Sequence, residues 1–146
     1  MDPIHVQIQS VALSVEDALT FTDRAENGAS SIFVGRVRNH NLGRPVTGVT
    51  YEAFDELART TLLAICTEAR EAYGQDLICF VEHFRGYLPI GGISVVIGVG
   101  SPHRDSAYKA NRYIIEELKN RLPVWKEEHY SDGQSDWLDG ATVEGR

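Results

Sequence analysis

Two stretches of the sequence carry apolar residues at the spacing of three and four that marks one face of an amphipathic helix. The first covers residues 55–73 and is followed by Gly74; the second covers residues 103–122 and is followed by Pro123, which cannot continue a helix. A shorter helix is predicted from Ser14, a good N-terminal cap, to about Asn27. The pattern therefore predicts two long helices that each bury one face.

Several other segments are rich in β-branched and aromatic residues, or alternate between apolar and polar positions, as strands do. These segments are residues 5–9, 31–38, 46–54, 77–84, 93–100 and 124–130. The turn-forming stretch 39–45 predicts that the strands on either side of it form one long hairpin, and the short connection 85–92 predicts a second antiparallel pair. We therefore predict an α+β fold in which two long helices cover a largely antiparallel sheet.

Length and composition narrow the class of protein. The 146 residues fit a single domain, predicted over residues 1–146, and the net charge of −7 argues against binding to nucleic acid or to an anionic membrane surface. The N-terminal segment lacks the basic and apolar regions of a signal peptide, and the apolar stretch 93–100 is too short to cross a bilayer. We expect a cytoplasmic protein with no nucleic-acid or membrane partner.

The cysteines and histidines do not indicate metal or sulfur chemistry. Cys66 and Cys79 fit no C-x-x-C spacing; they fall on the buried face of a predicted helix and inside an apolar strand. The five histidines show no metal-ligand spacing. We expect both thiols to pack in the core, and we expect no metal site.

Two lysines flank the proline that ends the second long helix. Lys119 lies in the last helical turn, where a cation also stabilises the helix dipole, and Lys126 follows Pro123 in an extended segment. Lys126, with two glutamates after it, also fits an ordinary solvated charge. Trp125 faces opposite to Lys126 and is best explained by core packing, which would anchor the segment and fix the position of Lys126.

A second candidate site lies at the start of the same helix. His103 and Arg104 are at its N-terminus, where free N–H groups favour an anion, although a simple helix cap explains them equally well. The helix separates His103 from Lys119 by about 24 Å. The two ends can therefore serve one small ligand only if two chains share the site.

A third group of cations surrounds the predicted turn 39–45. It consists of Arg36, Arg38 and Arg44, with Asn39, His40 and Asn41 as additional polar groups. A polar hairpin tip is common, but guanidinium groups are also the preferred protein ligands of phosphate. In a chain with an excess of acidic residues, this basic segment is a candidate local anion site.

Four blocks, in order along the chain, resemble the large, catalytic subunit of molybdopterin synthase. They are GASSIFVGRVRNHNLG at residues 28–43, YEAF at 51–54, SPHRDSAY at 101–108 and LKNRLPVWKEE at 118–128. The resemblance implies an α/β-hammerhead-like fold. It also implies a sulfurtransferase activity, in which cyclic pyranopterin monophosphate receives two sulfur atoms and becomes the dithiolene of molybdopterin.

The resemblance implies partners and site residues as well. The sulfur would arrive as a C-terminal thiocarboxylate on a small ubiquitin-like carrier that ends in Gly-Gly, so the chain would need no cofactor of its own. The large subunit would form a homodimer, and with two carriers a heterotetramer. The residues implied to line the pterin pocket are Arg38, His103, Arg104, Lys119 and Lys126. Of these, Lys119 and Lys126 are the catalytic candidates, with Lys119 nearer the reacting carbonyl and Lys126 binding substrate through its charge.

One segment departs from the family pattern, which leaves two alternatives open. The sequence HFRG at residues 83–86 has a displaced arginine, and Gly92 stands where a glutamate is usual. The chain could therefore be a non-catalytic homologue that binds the sulfur carrier or an anionic ligand without turnover. Alternatively, both lysines could be structural in an unrelated small-molecule enzyme.

Overall fold

Helices and strands alternate along the chain, and the computed structural model describes residues 1–139. In chain order the elements are β1 (Ile4–Gln9), α1 (Val15–Thr22), β2 (Ala29–Arg36), β3 (His40–Asn41), β4 (Arg44–Ala53), α2 (Asp55–Tyr73), β5 (Ile78–Phe84), β6 (Gly86–Pro89), β7 (Ile93–Ser101), α3 (Arg104–Arg121), β8 (Val124–Tyr130) and β9 (Ser135–Asp139). The predicted α+β class is confirmed. Within this part of the chain, no helix is long and apolar enough to span a membrane.

One sheet holds its strands in the order β1-β5-β7-β2. β1 runs parallel to β5, whereas β5 and β2 are both antiparallel to β7, which confirms the pairing predicted for residues 77–84 and 93–100. The two central strands, β5 and β7, are buried almost throughout. Such strands need cover on both faces of the sheet.

Helices supply that cover. α1 packs on the face that carries Gly98, where an added Cβ would lie 3.1 Å from the Cβ of Ala18. α3 packs on the other face, where the Asn111 amide donates hydrogen bonds to the carbonyls of Ser31 (2.9 Å) and Ile97 (3.2 Å). The sheet is therefore the middle layer of this part of the molecule.

α2 lies beside α3, and one carboxylate joins the two helices. Glu68 of α2 accepts hydrogen bonds from the Tyr113 hydroxyl (2.6 Å) and the Arg121 guanidinium (2.7 Å), both on α3. The apolar faces of the helices bury Ala58, Leu62, Ile65, Cys66, Ala69, Ala107, Ala110, Ile114 and Leu118. These contacts fix the C-terminal turns of α3, which carry Lys119.

A second sheet holds β3, β4, β8 and β9 in that order, and β6 also pairs with β4. In β8 buried residues alternate with half-buried ones, so that Val124, Lys126, Glu128 and Tyr130 face inward. The extended segment predicted at residues 124–130 is thus confirmed as a strand. The sheet predicted as one unit is in fact two.

The long hairpin predicted from residues 31–38 and 46–54 is wrong. β2 pairs with β7 in the first sheet, whereas β4 pairs with β6 and β8 in the second. The chain crosses between the sheets at Val37, whose N–H donates to the Gly92 carbonyl and whose carbonyl accepts from the Gly91 N–H. β-Branched residues identify a strand, but they do not reveal a partner that is distant in the sequence.

The first helix is also shorter than predicted, because it ends at Thr22 rather than near Asn27. The Thr22 hydroxyl donates to the carbonyl of Ala18 at 2.9 Å and lies 3.0 Å from the hydroxyl of Ser30 in the next strand. Asp23 is already extended, with φ −78° and ψ 96°. The helix therefore ends where Thr22 contacts β2. The polar residues 23–27 do not by themselves mark this end.

Candidate functional site

A cavity of about 210 Å³ lies where the end of β2, the inner face of the second sheet and the last turns of α3 meet. Its polar lining comes from Arg36, Arg38, His40, Tyr51, Ser94, Lys119, Lys126 and Glu128. Apolar side chains form the remaining wall, among them Phe33, Ile115 and Leu118. Apolar walls with a few convergent polar groups are typical of small-molecule sites, and here four of the polar residues are cations.

Lys126 is buried, so its interpretation as a solvated charge is wrong. Its side chain is 8% exposed, and its Nζ lies 3.5 Å from Oε2 of Glu128, whose side chain is 4% exposed. The two-residue period of β8 places both side chains on the inner face, whereas Glu127 faces the other way and accepts a hydrogen bond from Ser135. The strand therefore holds a cation and its counter-charge at the cavity wall.

The structure brings Arg38 and Lys119 to the same cavity. Lys119 is half-buried in the last turn of α3, and Arg38 is exposed on the segment that follows β2. The chain has three lysines, and two of them line this cavity. Three of the five predicted pocket residues thus meet within one chain: Arg38, Lys119 and Lys126.

His103 and Arg104 lie at the opposite end of α3. Both are exposed, and within residues 1–139 of a single chain neither lines the cavity. His103 occupies the N-cap position but makes no side-chain capping hydrogen bond, and its N–H lies 3.4 Å from Oγ of Ser101. One chain therefore does not bring these two residues to Lys119.

Sequence reasoning did not predict the hydrogen bonds that hold Glu128. Its Oε1 accepts hydrogen bonds from Nδ2 of Asn41 (2.8 Å) and from the Tyr130 hydroxyl (3.1 Å). Burial and this hydrogen bond to Glu128 raise the pKa of Tyr130 to about 12, so its hydroxyl stays a donor at neutral pH. The two-residue period of β8 could have identified Glu128 as a neighbour of Lys126. Asn41 stands in the polar turn of the third candidate group, but no local signal predicts its contact with Glu128.

Two other predicted candidates have different surroundings from those expected. Arg44 lies over the ring of Tyr130, 3.5 Å from its centroid, and forms ion pairs with Asp132 and Asp136 at the protein surface. Trp125 does face away from Lys126, as predicted. It is half-buried on the outer side of the sheet, where it packs against the exposed Phe54 ring rather than in the core.

The two cysteines are fully buried, which confirms their predicted packing role. A hydrogen bond with Cys79 and burial together raise the pKa of the Cys66 thiol well above its usual value. Only a thiolate is an effective sulfur nucleophile. Neither thiol lines the cavity, and neither is suited to act as a nucleophile.

Comparison with known proteins gives matches to one family. The sequence model of the MoaE protein family matches residues 8–121. A molybdopterin synthase catalytic subunit from Synechococcus elongatus is 45% identical over 139 residues, which cover 95% of this chain and 84% of that protein. Catalytic subunit 1 from Mycobacterium tuberculosis is 40% identical over 126 residues, 86% of this chain and 84% of the relative.

Solved structures show the same fold. Molybdopterin synthase from Staphylococcus aureus superimposes with a TM-score of 0.86 at 35% identity, covering 94% of this chain and 98% of the other. A complex of subunits 1 and 2 of the molybdopterin-converting factor from Helicobacter pylori contains a chain with a TM-score of 0.73 at 20% identity, covering 94% and 90%. The match to the family model and the identity to these relatives over nearly the whole length establish that the chain belongs to the MoaE family, the catalytic subunits of molybdopterin synthase.

Proposed function

We propose that the chain transfers sulfur in molybdopterin synthesis: it converts cyclic pyranopterin monophosphate to the dithiolene of molybdopterin. The observation that carries this proposal is the meeting of Arg38, Lys119 and Lys126 at one cavity. The net charge of −7 makes the protein as a whole a poor anion binder. A local group of cations beside an apolar wall suits a flat heterocycle that carries a phosphate.

The sulfur comes from a partner. A small carrier with a C-terminal Gly-Gly thiocarboxylate supplies it, because both cysteines of this chain are buried. In each transfer the carrier's sulfur forms a bond to a carbon of the precursor side chain while a carbon–oxygen bond at that carbon breaks, giving a thioester-like intermediate. The displaced oxygen leaves as water at one carbon and stays on the opened cyclic phosphate at the other. Water then cleaves the acyl carbon–sulfur bond, so that the carrier leaves as a carboxylate. Two thiocarboxylates are consumed for each product, with no net oxidation or reduction.

The two lysines have different roles in this proposal. Lys126 is buried beside Glu128, which suits a fixed positive charge that binds the anionic substrate. Lys119 is half-buried at the end of α3, and it stabilises the oxyanion that forms when the acyl group of the carrier is attacked by water. Arg38 binds the phosphate.

His103 and Arg104 act from a second copy of the chain. Their exposure and their distance from Lys119 along α3 support a site shared across a homodimer. With one carrier bound to each subunit, the assembly is a heterotetramer. Its expected location is the cytoplasm.

The decisive experiment combines the purified chain, thiocarboxylated carrier and cyclic pyranopterin monophosphate, and measures dithiolene product. We expect Lys119→Ala to lower turnover at least about a hundredfold, the usual loss when an oxyanion donor is removed. Lys109→Ala is the matched control, because Lys109 lies on the same helix but is exposed and paired with Asp105. Carrier binding without product from the native chain would identify a non-catalytic homologue. Native turnover that survives in the Lys119→Ala variant would refute the assigned role of Lys119.

A further inference from the structure

The turn between β3 and β4 directs one side chain into the protein. Leu42 and Gly43 form its two central positions, both with positive φ (50° and 80°). Glycine adopts such angles freely, whereas leucine rarely does. The turn places Asn41 opposite Arg44, and Asn41 is only 5% exposed although Leu42 next to it is 80% exposed. A tight, locally unfavourable turn is thus maintained around one buried amide.

The contacts of this amide reach both sides of the cavity. Nδ2 of Asn41 donates to Oε1 of Glu128 at 2.8 Å, and Oδ1 accepts from Nη2 of Arg38 at 3.5 Å. A carboxylate can only accept hydrogen bonds and a guanidinium can only donate them. An amide serves both partners at once because it carries one donor and one acceptor group. An aspartate at this position would satisfy Arg38 and oppose Glu128.

The second oxygen of Glu128 completes the connection. Its Oε1 is occupied by Asn41 and by the hydroxyl of Tyr130, while its Oε2 lies 3.5 Å from Nζ of Lys126. Two donors on one oxygen fix the plane of the carboxylate and direct the other oxygen at the ammonium. Asn41 therefore lies between the two cations that bind substrate in the proposed function.

We propose that Asn41 is a positioning residue that sets the geometry of Arg38 and Lys126 for binding the anionic substrate. This inference rests on the proposed function for the identity of that substrate. Asn41 lies in the turn and acts through Arg38 and Glu128, so it affects binding rather than the chemical step. A residue needed only for the fold would lower the amount of active protein and leave the affinity of the remaining molecules unchanged.

The test is the affinity for cyclic pyranopterin monophosphate, measured by calorimetry without carrier and as KM with thiocarboxylated carrier. We expect Asn41→Ala to raise Kd and KM about tenfold, as the loss of a hydrogen bond to a charged group would, while kcat stays within about twofold. Asn39→Ala is the matched control, because Asn39 is an exposed asparagine of the same segment. Values within twofold of the native chain for Asn41→Ala would overturn the inference.

A double variant covers the case in which a single replacement unfolds the protein. Asn41→Asp with Glu128→Gln reverses the hydrogen bond between the two positions and keeps the shape of both side chains. We expect its Tm to exceed that of Asn41→Asp alone, while Kd stays raised because an amide then faces Lys126. A native Kd for the folded fraction of Asn41→Asp alone, in which the contact with Glu128 is broken, would mean that Asn41 serves only the fold.

The calorimetric measurement separates the two proposals. A native chain that binds the precursor but makes no product contradicts the proposed activity, and the Kd of Asn41→Ala still decides the role of Asn41. A native chain that does not bind the precursor overturns both proposals.

Discussion

At the scale of single residues, the unusual feature is a lysine and a glutamate that share the inner face of one strand. Lys126 and Glu128 are both buried, and burial of two charges is costly unless they compensate each other and find further hydrogen bonds. Asn41 and Tyr130 supply those hydrogen bonds to Glu128. The pair therefore depends on its surroundings, and it contributes a fixed charge at the cavity wall rather than a large net stability.

Removing the negative charge of Glu128 should destabilise the folded protein. We expect Glu128→Gln to lower the free energy of unfolding by about 3 kcal/mol, because one partner of a buried ion pair is lost. Urea unfolding followed by circular dichroism measures this change. Glu127→Gln is the control: Glu127 lies on the other face of β8, and its replacement should cost less than about 1 kcal/mol. Equal losses in the two variants would contradict the importance of the buried pair.

The sequence supplied part of this arrangement. Lys119, Lys126 and Arg38 were identified from their blocks, and the cavity brings them together. The hydrogen bond between Asn41 and Glu128 joins positions 87 residues apart, and no periodicity along the sequence predicts such a contact. The site cations were thus accessible from sequence, whereas the hydrogen bonds that orient them were not.

At the scale of secondary-structure elements, the contact between α2 and α3 fixes the helix end that carries Lys119. The hydrogen bonds from Arg121 and Tyr113 lower the pKa of Glu68 from 4.5 to about 2. Tyr113 donates in this contact, and the same hydrogen bond raises its pKa to about 12. At neutral pH the carboxylate therefore accepts from both residues of α3.

This contact should make stability depend on acid pH. Because the pKa of Glu68 is lower in the folded protein than in the unfolded chain, its stabilising effect is complete above about pH 4.5. It is lost as the pH falls from about 4.5 towards 2. The test compares Tm at pH 6, above this window, with Tm at pH 3, inside it. The drop in Tm between the two should be smaller in Glu68→Gln than in the native chain. Glu71→Gln, an exposed change on the same helix, should keep the native pH dependence.

Periodicity along the sequence predicts the helices but not the pairing of the strands. The range 55–73 agrees with α2, and the range 103–122 differs from α3 by one residue at each end. The predicted partner of β2 was wrong because the hydrogen bonds of β2 go to β7, which follows it in the chain after one helix and four other strands. Helical spacing is a local property, whereas strand pairing depends on which distant segment buries the same face.

At the scale of the whole molecule, the predicted site residues lie at opposite ends of α3. Lys119 lines the cavity, whereas His103 and Arg104 are exposed at the far end of the same helix. A rigid helix cannot bring its two ends together. If all three residues act on one substrate, the site is composed of two chains, and each dimer contains two such sites.

Mixed dimers test this arrangement. A His103→Ala chain and a Lys119→Ala chain are combined at equal amounts under conditions of subunit exchange. Half of the dimers are then hybrids, and in each hybrid one of the two sites has both residues intact. We therefore expect about a quarter of the native turnover. Each variant alone should stay inactive. Mixtures that exchange subunits but gain no activity would show that the site belongs to one chain.

The burial of Cys66 and Cys79 makes the chain its own reporter of unfolding. These are the two cysteines of the sequence, and neither is exposed in the folded protein. Iodoacetamide alkylates thiolates, so it can modify these positions only in molecules whose core has opened. The mass of the protein after a timed exposure to the reagent therefore reports how much of the protein has opened, without an engineered cysteine.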